Sequence, residues 1–387
     1  LSRVNLTSNN SQVAPSDYRS YVRQEDNSRW LSTIKVPLGI YCLSGTNERN
    51  LFNRLMHRIG EAPVVYNDTL TGYSAAALRL ALQSKGYLQA RVDTTLTRKG
   101  RRATLTYHLK PGNRSYVHEL RREFDNDTVR RLIMADSSAS RLYKGMPLDL
   151  ALLSEERTRI VHRLQNSGYM NANNEFVSFV ADTLPLSQAV RLTLQVQAPR
   201  GVDRNMAYQV YRIGRVALTE LNADEAPTDS SFYRGVTFEA AGQTRINRRT
   251  YVRNLFILPD SLYRDVATQY TYQNLNALAA VNYSNIHYAQ PALGDSTVNV
   301  HLLVQLNKPN GITFDLEGTN TAGDFGGAAT LTYTQRNLFR GAESFFLKFR
   351  GAYEAIRQLE GYRNQNYTEY GVEATLRFPT LPVSPGE

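Results

Sequence analysis

The stretch from Ala75 to Val92 reads AAALRLALQSKGYLQARV. Ala75, Leu78, Ala81 and Leu82 share one face at helical spacing. Gly86 is placed to end that helix, in the positive-φ backbone region that side chains disfavour. Tyr87 is then expected to open a strand. After the turn Lys99-Gly100, a second strand alternates Leu105, Tyr107 and Leu109 with polar residues until Pro111-Gly112 stops it.

The same grammar returns 82 residues on, from Tyr87 to Tyr169. Leu153, Ile160, Val161 and Leu164 form a helical stripe, and Gly168-Tyr169 caps it. Val190, Leu192, Leu194 and Val196 then alternate with Arg191, Thr193 and Gln195 up to Ala198-Pro199. A looser third copy has a helix from about Ser261 through Tyr272, Leu275 and Leu278, with a strand near Tyr283 to Tyr288. Val298, Val300, Leu302, Val304 and Leu306 alternate after it, before Lys308-Pro309. In this copy Ala279 or Ala280 replaces the Gly and Val281 replaces the aromatic residue. Each copy opens on a short strand: Val4 and Leu6; Tyr116 to Leu120; and Tyr211, Ile213, Val216 and Leu218. The unit is strand, helix, helix, strand, strand, which packs two helices on one face of a three-stranded sheet. Because the strands alternate, the other face is expected to be solvated.

Residues 310–387 follow a different pattern. Ile312, Phe314 and Leu316 alternate with Thr313, Asp315 and Glu317, and a glycine-rich reversal runs from Gly318 to Gly327. A second strand spans about Ala328 to Thr334 and turns at Arg336-Asn337-Leu338-Phe339-Arg340-Gly341. Phe345, Leu347 and Phe349 then oppose Lys348 and Arg350, and Tyr370, Val372, Ala374, Leu376 and Phe378 oppose Glu373, Thr375 and Arg377. Four strands of roughly nine to eleven residues, apolar on one side and charged on the other, fit a transmembrane β-barrel wall or a soluble sandwich.

The repeated unit, with Gly-Tyr before the second strand and Ala three residues after the Tyr, resembles the POTRA domain of outer-membrane protein assembly factors of the BamA/TamA family. The string from Gly318 to Gly327, followed by Arg336 to Gly341, resembles the opening hairpin of that family's barrel. Tyr21-Val-Arg-Gln24 and Gly60-Glu-Ala-Pro63-Val resemble the subgroup of TamA-like lipoproteins (TamL) of Bacteroidota-type bacteria. The resemblance covers essentially the whole chain. It implies an α+β fold of three tandem POTRA (βααββ) domains followed by the first strands of a transmembrane antiparallel β-barrel. The expected boundaries are 1–112, a POTRA-like domain with an insertion; 113–199; 206–309, the barrel-proximal domain; and 310–387, the barrel strands. The subgroup's lipid-bearing N-terminal Cys and the family's late Arg-Gly loop motif are absent from these 387 residues. The chain is therefore expected to be a processed or trimmed product. Pro382 to Glu387 reads as a turn before further strands, about sixteen in all if the family is followed.

The composition excludes other classes. With 42% hydrophobic and 21% charged residues the chain can bury a core, and its length suits roughly two to four domains. No stretch approaches the roughly 18 apolar residues of a spanning helix, while a mean hydropathy of -0.43 is compatible with membrane strands. The formal charge is +10, carried in short clusters (Arg101-Arg102, Arg121-Arg122, Arg130-Arg131, Arg248-Arg249) that read as solvated faces rather than a nucleic-acid site. The single cysteine, Cys42, sits in Ile40-Tyr41-Cys42-Leu43 and is expected to be a buried thiol.

Asp324-Phe325-Gly326 spells a kinase motif without its companion loops and reads as a barrel turn. Asp125-Asn126-Asp127 reads as a helix N-cap rather than a calcium loop. The six histidines are scattered, so no metal, cofactor or catalytic centre is expected.

Function is expected to reside in unpaired strand edges, which invite another strand. The candidate POTRA edges are Leu88–Thr95, with Leu88, Ala90 and Val92, and Met170–Phe179, with Met170, Ala172 and Phe176. The first barrel strand, Ile312 to Thr319, with Ile312, Phe314 and Leu316, is the candidate lateral gate. The resemblance implies unfolded outer-membrane protein clients, a TamB-like periplasmic partner or accessory assembly lipoproteins, and outer-membrane lipid. It places the barrel in the bacterial outer membrane and the POTRA domains in the periplasm. The alternatives are a two-partner-secretion transporter and a soluble periplasmic scaffold.

Overall fold

Apolar residues at every second position build the first sheet. β1 (Arg3–Ser8) runs parallel to β3 (Arg102–Lys110), and β2 (Arg91–Lys99) runs antiparallel to β3, in the order β1-β3-β2. Val4, Leu105, Tyr107 and Leu109 point into one core with Tyr18, Val22, Leu78 and Leu82. Tyr18 comes from a 3-10 turn, Pro15–Tyr21, and Leu78 and Leu82 from α3 (Asp68–Ser84), which Asn67 caps by accepting the Leu70 N–H at 3.2 Å. The opposite face is polar, as expected, and the His108 ring bridges the hydroxyls of Thr7 (2.9 Å) and Thr95 (3.0 Å). The computed structural model describes residues 1–28, 36–43, 51–100, 102–183, 189–221, 227–289, 294–321, 324–355 and 366–379. Arg101, Gly323 and the turn at Pro382 to Glu387 lie outside the described residues.

Gly86 ends α3 with φ +92°, but Tyr87 does not open a strand. A turn closed by Ala90 N–H to the Tyr87 carbonyl (3.0 Å) comes first, because the Tyr87 ring is drawn into the core. β2 starts only at Arg91, so Leu88 and Ala90 precede it and Val92 lies within it. Two short helices, α1 (Val36–Leu43) and α2 (Leu51–Ile59), occur between the 3-10 turn and α3. Cys42 stands on α1, which buries no residue, so its thiol is exposed rather than buried.

By its contacts the chain divides into two units, Leu1–Ile160 with Asn174–Gln197, and Val161–Asn173 with Ala198–Glu387. The second sheet repeats the first, with β4 (Tyr116–Phe124) parallel to β6 (Ala189–Val196) and β5 (Val177–Thr183) antiparallel to it. α4 (Asp127–Ala135) is capped by Asn126, whose side chain accepts the N–H groups of Thr128 (2.9 Å) and Val129 (3.1 Å), as the sequence suggested. α5 (Leu150–Gln165) passes from the first unit into the second. Met170, Ala172 and Phe176 precede β5 rather than forming it, since a turn at Tyr169 and a 3-10 turn at Asn174–Phe176 intervene. The bare face of this sheet carries a charge ladder in which Glu119 accepts from Arg191 and Arg121, each at 2.7 Å.

The first two sheets meet at Gly86. Its carbonyl accepts the Ser115 N–H at 2.9 Å, and Arg114 Nε donates to the Lys85 carbonyl at 2.8 Å. Asp149, buried ahead of α5, accepts from Ala151 N–H and from Lys85 Nζ at 3.0 Å.

The third sheet departs from the expected three strands. α6 (Arg204–Ala207) precedes β7 (Arg212–Leu221), and a hairpin of β8 (Asp229–Tyr233) and β9 (Val236–Ala240) follows at once. With β10 (Val281–Tyr288) and β11 (Thr297–Leu306) the order is β10-β11-β7-β9-β8. The helices are α7 (Arg248–Arg253) and α8 (Asp265–Ala277). The expected helical residues Ser261 to Tyr263 instead run beside the start of β7, with the Ile213 N–H on the Ser261 carbonyl and the Tyr263 N–H on the Tyr211 carbonyl. Phe238, Tyr251, Leu275, Val300 and Leu302 anchor this core.

The last sheet is an antiparallel meander of β12 (Asn310–Thr321), β13 (Asp324–Arg336), β14 (Ser344–Ala355) and β15 (Asn366–Arg377). Its strands are 12 or 13 residues long, longer than expected. The glycine-rich reversal is narrower than Gly318 to Gly327, because pairing continues to Thr321 opposite Asp324.

Candidate functional site

Sheet edges decide what this chain can receive. The outer edge of each first strand is occupied by its own chain. At β1 the Val4 N–H donates to Asp26 (3.2 Å) and Arg19 donates to the Val4 carbonyl (3.4 Å). At β4, Val117 exchanges N–H bonds with Met146 (2.9 Å) and Gly145 (2.7 Å), and at β7 the added β9 pairs in parallel. The opposite edges, β2, β5 and β10, have no strand partner among the described residues.

At the first sheet that edge borders a groove of about 770 Å³. Its helix side is Ala75, Ala76, Arg79 and Gln83 of α3, and its strand side runs from Leu88 to Asp93. Ala75 and Ala76 contribute only methyl groups to this wall. Gln83 donates to the Leu88 carbonyl at 3.3 Å and fixes the bend before β2. Asp93 pairs with Lys110 at 2.7 Å, and that hydrogen bond and charge hold its carboxyl below the usual range. The structure thus brings Leu88, Ala90 and Val92 together around one groove.

At the other two sheets a side chain crosses the corresponding space. Arg157 of α5 lies over the Phe179 ring of β5 at 5.7 Å. In the third sheet Asn276 of α8 accepts the Ser284 N–H of β10 at 3.1 Å, and Thr268 bonds the Tyr288 hydroxyl. Tyr288 is held up to about 12, chiefly by burial, with the Thr268 bond opposing. Met170 packs on the third core, within the second unit, rather than on an open edge.

The meander offers a different surface. One face carries the rows Ile312–Tyr333–Leu347, Phe314–Leu331–Phe349–Val372 and Leu316–Ala329–Gly351–Tyr370. Its large apolar side chains are bare: Ile312 75%, Phe314 62% and Tyr370 85% exposed. The other face carries Thr313–Thr332–Lys348–Glu373 and Asp315–Thr330–Arg350, with Arg350 3.5 Å from Glu317. A water-soluble sheet commonly buries its apolar face; here Ile312, Phe314, Leu316, Tyr370 and Val372 stay exposed. β12 is an edge of this sheet, paired with β13 on one side and with no strand on the other among the described residues, which places Ile312, Phe314 and Leu316 on that edge strand.

The turn between β13 and β14 is latched to the third sheet's domain. Ala342 is part of that core, and Arg340 donates to the Thr244 carbonyl at 2.6 Å. Asn337 donates to the Arg245 carbonyl at 2.9 Å, and the Arg340 carbonyl accepts the Asn247 N–H at 2.7 Å. Glu220, itself buried, holds the receiving loop through Arg245 N–H (2.7 Å) and the Tyr251 hydroxyl (2.7 Å). Burial and the nearby Glu220 charge push Tyr251 well above its ordinary range. Sequence reading missed this latch. The available signal was Glu220 itself, a charge on the apolar phase Val216, Leu218 of its strand.

No protein-family model and no curated protein matches the chain. Among solved structures it is similar to POTRA domains 3–5 of Haemophilus influenzae BamA, at 13% identity and a TM-score of 0.39, covering 79% of this chain and 95% of that one. It is similar to Haemophilus ducreyi BamA lacking POTRA domains 1–3, at 12% identity and a TM-score of 0.37, over 67% of this chain and 47% of that one. A third similarity is to CdiB from Acinetobacter baumannii, at 11% identity and a TM-score of 0.28, over 62% of this chain and 39% of that one.

Proposed function

We propose that this chain belongs to an outer-membrane protein assembly or transport factor of the BamA/TamA type. Its three βααββ-type domains face the periplasm, and residues 310–377 form part of a barrel wall. The bare apolar face of the meander, opposite a charged one, carries this reading. A soluble scaffold would leave that face in water, where contiguous apolar patches of such size are rare.

In this reading an extended client strand adds to the β2 edge beside α3, held by backbone bonds with little sequence demand. β12 is the strand at which a client pairs laterally on its way into lipid. In lipid an unpaired N–H or C=O group costs several kcal/mol, so a β-strand can enter only with its edge groups paired. A TamB-like periplasmic partner would use the same kind of edge. No step in this reading requires a cofactor, a metal or a catalytic group.

The test uses the full-length protein in vesicles, in a Cys42→Ser background, with single cysteines at Phe314 and Asp315 probed by a water-soluble maleimide. Phe314→Cys should resist labelling until detergent is added, and Asp315→Cys should react without it. Equal labelling of both positions in intact vesicles would refute the membrane assignment. Disulfide trapping from Phe314→Cys to a client's terminal strand should then succeed, and a persistent absence of that crosslink would refute the gate assignment of β12.

A further inference from the structure

We infer that the groove beside β2 selects extended segments that carry carboxylates. This rests on the proposed reading of the groove as a strand receptor and adds the chemical class of its occupant. Two cations, Arg79 from α3 and Arg91 from β2, line the groove from its two sides. Both side chains are exposed. The one acidic lining residue, Asp93, is already neutralised by Lys110 at 2.7 Å. The described lining therefore has an excess of positive charge, with its carboxylate held in an ion pair.

The rest of the lining fixes the form of the occupant. Ala75, Ala76, Leu88, Ala90 and Val92 supply a low apolar wall, and the β2 edge supplies backbone donors and acceptors. Successive side chains of an added strand point to opposite faces. Apolar groups at alternate positions would then rest on the alanines beside Arg79, while acidic groups between them lie on the face of Arg91, which alternates with the core-facing Val92. The second and third sheets do not offer this site. Arg157 is committed to Phe179, and Asn276 occupies the Ser284 N–H.

The experiment uses the whole chain and three fluorescent peptides of about seven residues, enough to span the groove at ~3.3 Å per residue. All alternate valine with threonine; one carries two glutamates at threonine positions, one carries two lysines there, and one is unchanged. The glutamate peptide should bind about tenfold tighter than the lysine peptide, because its charge contacts with the exposed arginines change sign between them. That ratio should shrink as salt is raised. The double variant Arg79→Glu, Arg91→Glu should invert the order. Both positions are exposed, so the variant should keep its thermal midpoint, which is measured alongside.

If all three peptides bind equally, the carboxylate preference is overturned while the strand-receptor reading survives. If none binds, both are overturned. If the glutamate peptide wins but the double variant leaves the order unchanged, the preference does not come from this groove and the inference fails.

Discussion

Replacing Gly86 by alanine separates two effects that usually travel together. The residue has φ +92°, which an L side chain tolerates at a cost of roughly 1–2 kcal/mol. A Cβ built on it would also lie 2.4 Å from the Leu148 carbonyl oxygen and 3.4 Å from that of Ser115. These are backbone atoms of the second sheet's domain and have no rotamer to escape into. The two domains must therefore part at this joint. Parting removes the Ser115 N–H bond to Gly86 and the Arg114 bond to Lys85, each worth about 1 kcal/mol net. The Lys85–Asp149 pair adds little, since the lysine is half exposed. The expected loss is about 3–4 kcal/mol in urea unfolding, the sum of backbone strain and the two bonds. Gly100→Ala is the control: φ is also positive, at +59°, but nothing lies within 4 Å of its added Cβ. It should cost only the strain. Spin labels at Thr97 and Arg122, one on each sheet, should give a narrow distance distribution in the parent and in Gly100→Ala, and a broad one in Gly86→Ala. An unchanged distribution in Gly86→Ala, with a stability loss no larger than that of the control, would refute the joint.

Gly168→Ala should be milder than Gly86→Ala in the same unfolding assay. Gly168 also has positive φ and gives its carbonyl to the Tyr211 N–H at 2.8 Å, but its Cβ would meet the movable side-chain ends of Val210 and Leu262. Glu156→Ala should cost about 1–3 kcal/mol, because it takes the acceptor from the Ser140 hydroxyl and the Arg141 N–H and leaves Arg159 with Asp136 as its remaining partner. Burial raises the Glu156 carboxyl, but bonds from Arg159, the Arg141 N–H and Ser140 outweigh it and hold the group below its ordinary range. Its stabilising contribution is therefore present above about pH 4.3 and is lost as pH falls further, so the penalty of Glu156→Ala should shrink in urea titrations run in acid. Arg340→Ala should loosen the latch, seen as faster amide exchange at Arg245 and Asn247 with the β12–β13 pairing unaffected; unchanged exchange there would show that Ala342, Asn337 and the Asn247 N–H hold the turn without the Arg340 side chain.

Most of the fold was legible because its strands alternate strictly and its helices carry clean stripes. Leu105, Tyr107 and Leu109, or Val298 through Val304, leave little choice of face. The hairpin β8–β9 was missed for the opposite reason. Asp229 to Tyr233 has no alternation, and it becomes a strand only because β9 pairs with the rim of β7. Cys42 was misplaced because four apolar residues in a row suggest a core, yet α1 packs chiefly on the short helix α2 among the described elements and buries none of them. β2 starts at Arg91 and β5 at Val177, three and seven residues after the expected Leu88 and Met170. The openness of these edges was not legible, since it depends on which helix side chain reaches across: Ala75 and Ala76 leave the space, while Arg157 and Asn276 fill it. Charges falling on a core phase, Glu156 between Leu153 and Ile160 and Glu220 after Leu218, were the one local sign of a buried network.

The proposed function acquires a direction from the solvent around each edge. At β2 the outward backbone groups are solvated, so a strand that pairs there exchanges water bonds for protein bonds and gains only about 0.5–1.5 kcal/mol per bond. A short strand would therefore be held weakly and released readily. At β12, if the apolar face lies in lipid, unpaired groups have no water to fall back on, and each costs several kcal/mol until a partner satisfies it. The same backbone chemistry is then a shallow well in the periplasm and a deep one in the wall. In the proposed function a client strand moving from the first to the second would go downhill, because pairing at β12 relieves edge groups that lipid leaves unsatisfied. The latch at Arg340 fits this scheme, since the deep site works only if the hairpin beside β12 stays paired. Arg336 strengthens that pairing at its first residues, with its N–H on the Pro309 carbonyl at 2.7 Å and its guanidinium on the Lys308 carbonyl at 3.2 Å. The inner edge of β12 is thus pinned where it leaves the third domain, and its outer edge is the one left to offer.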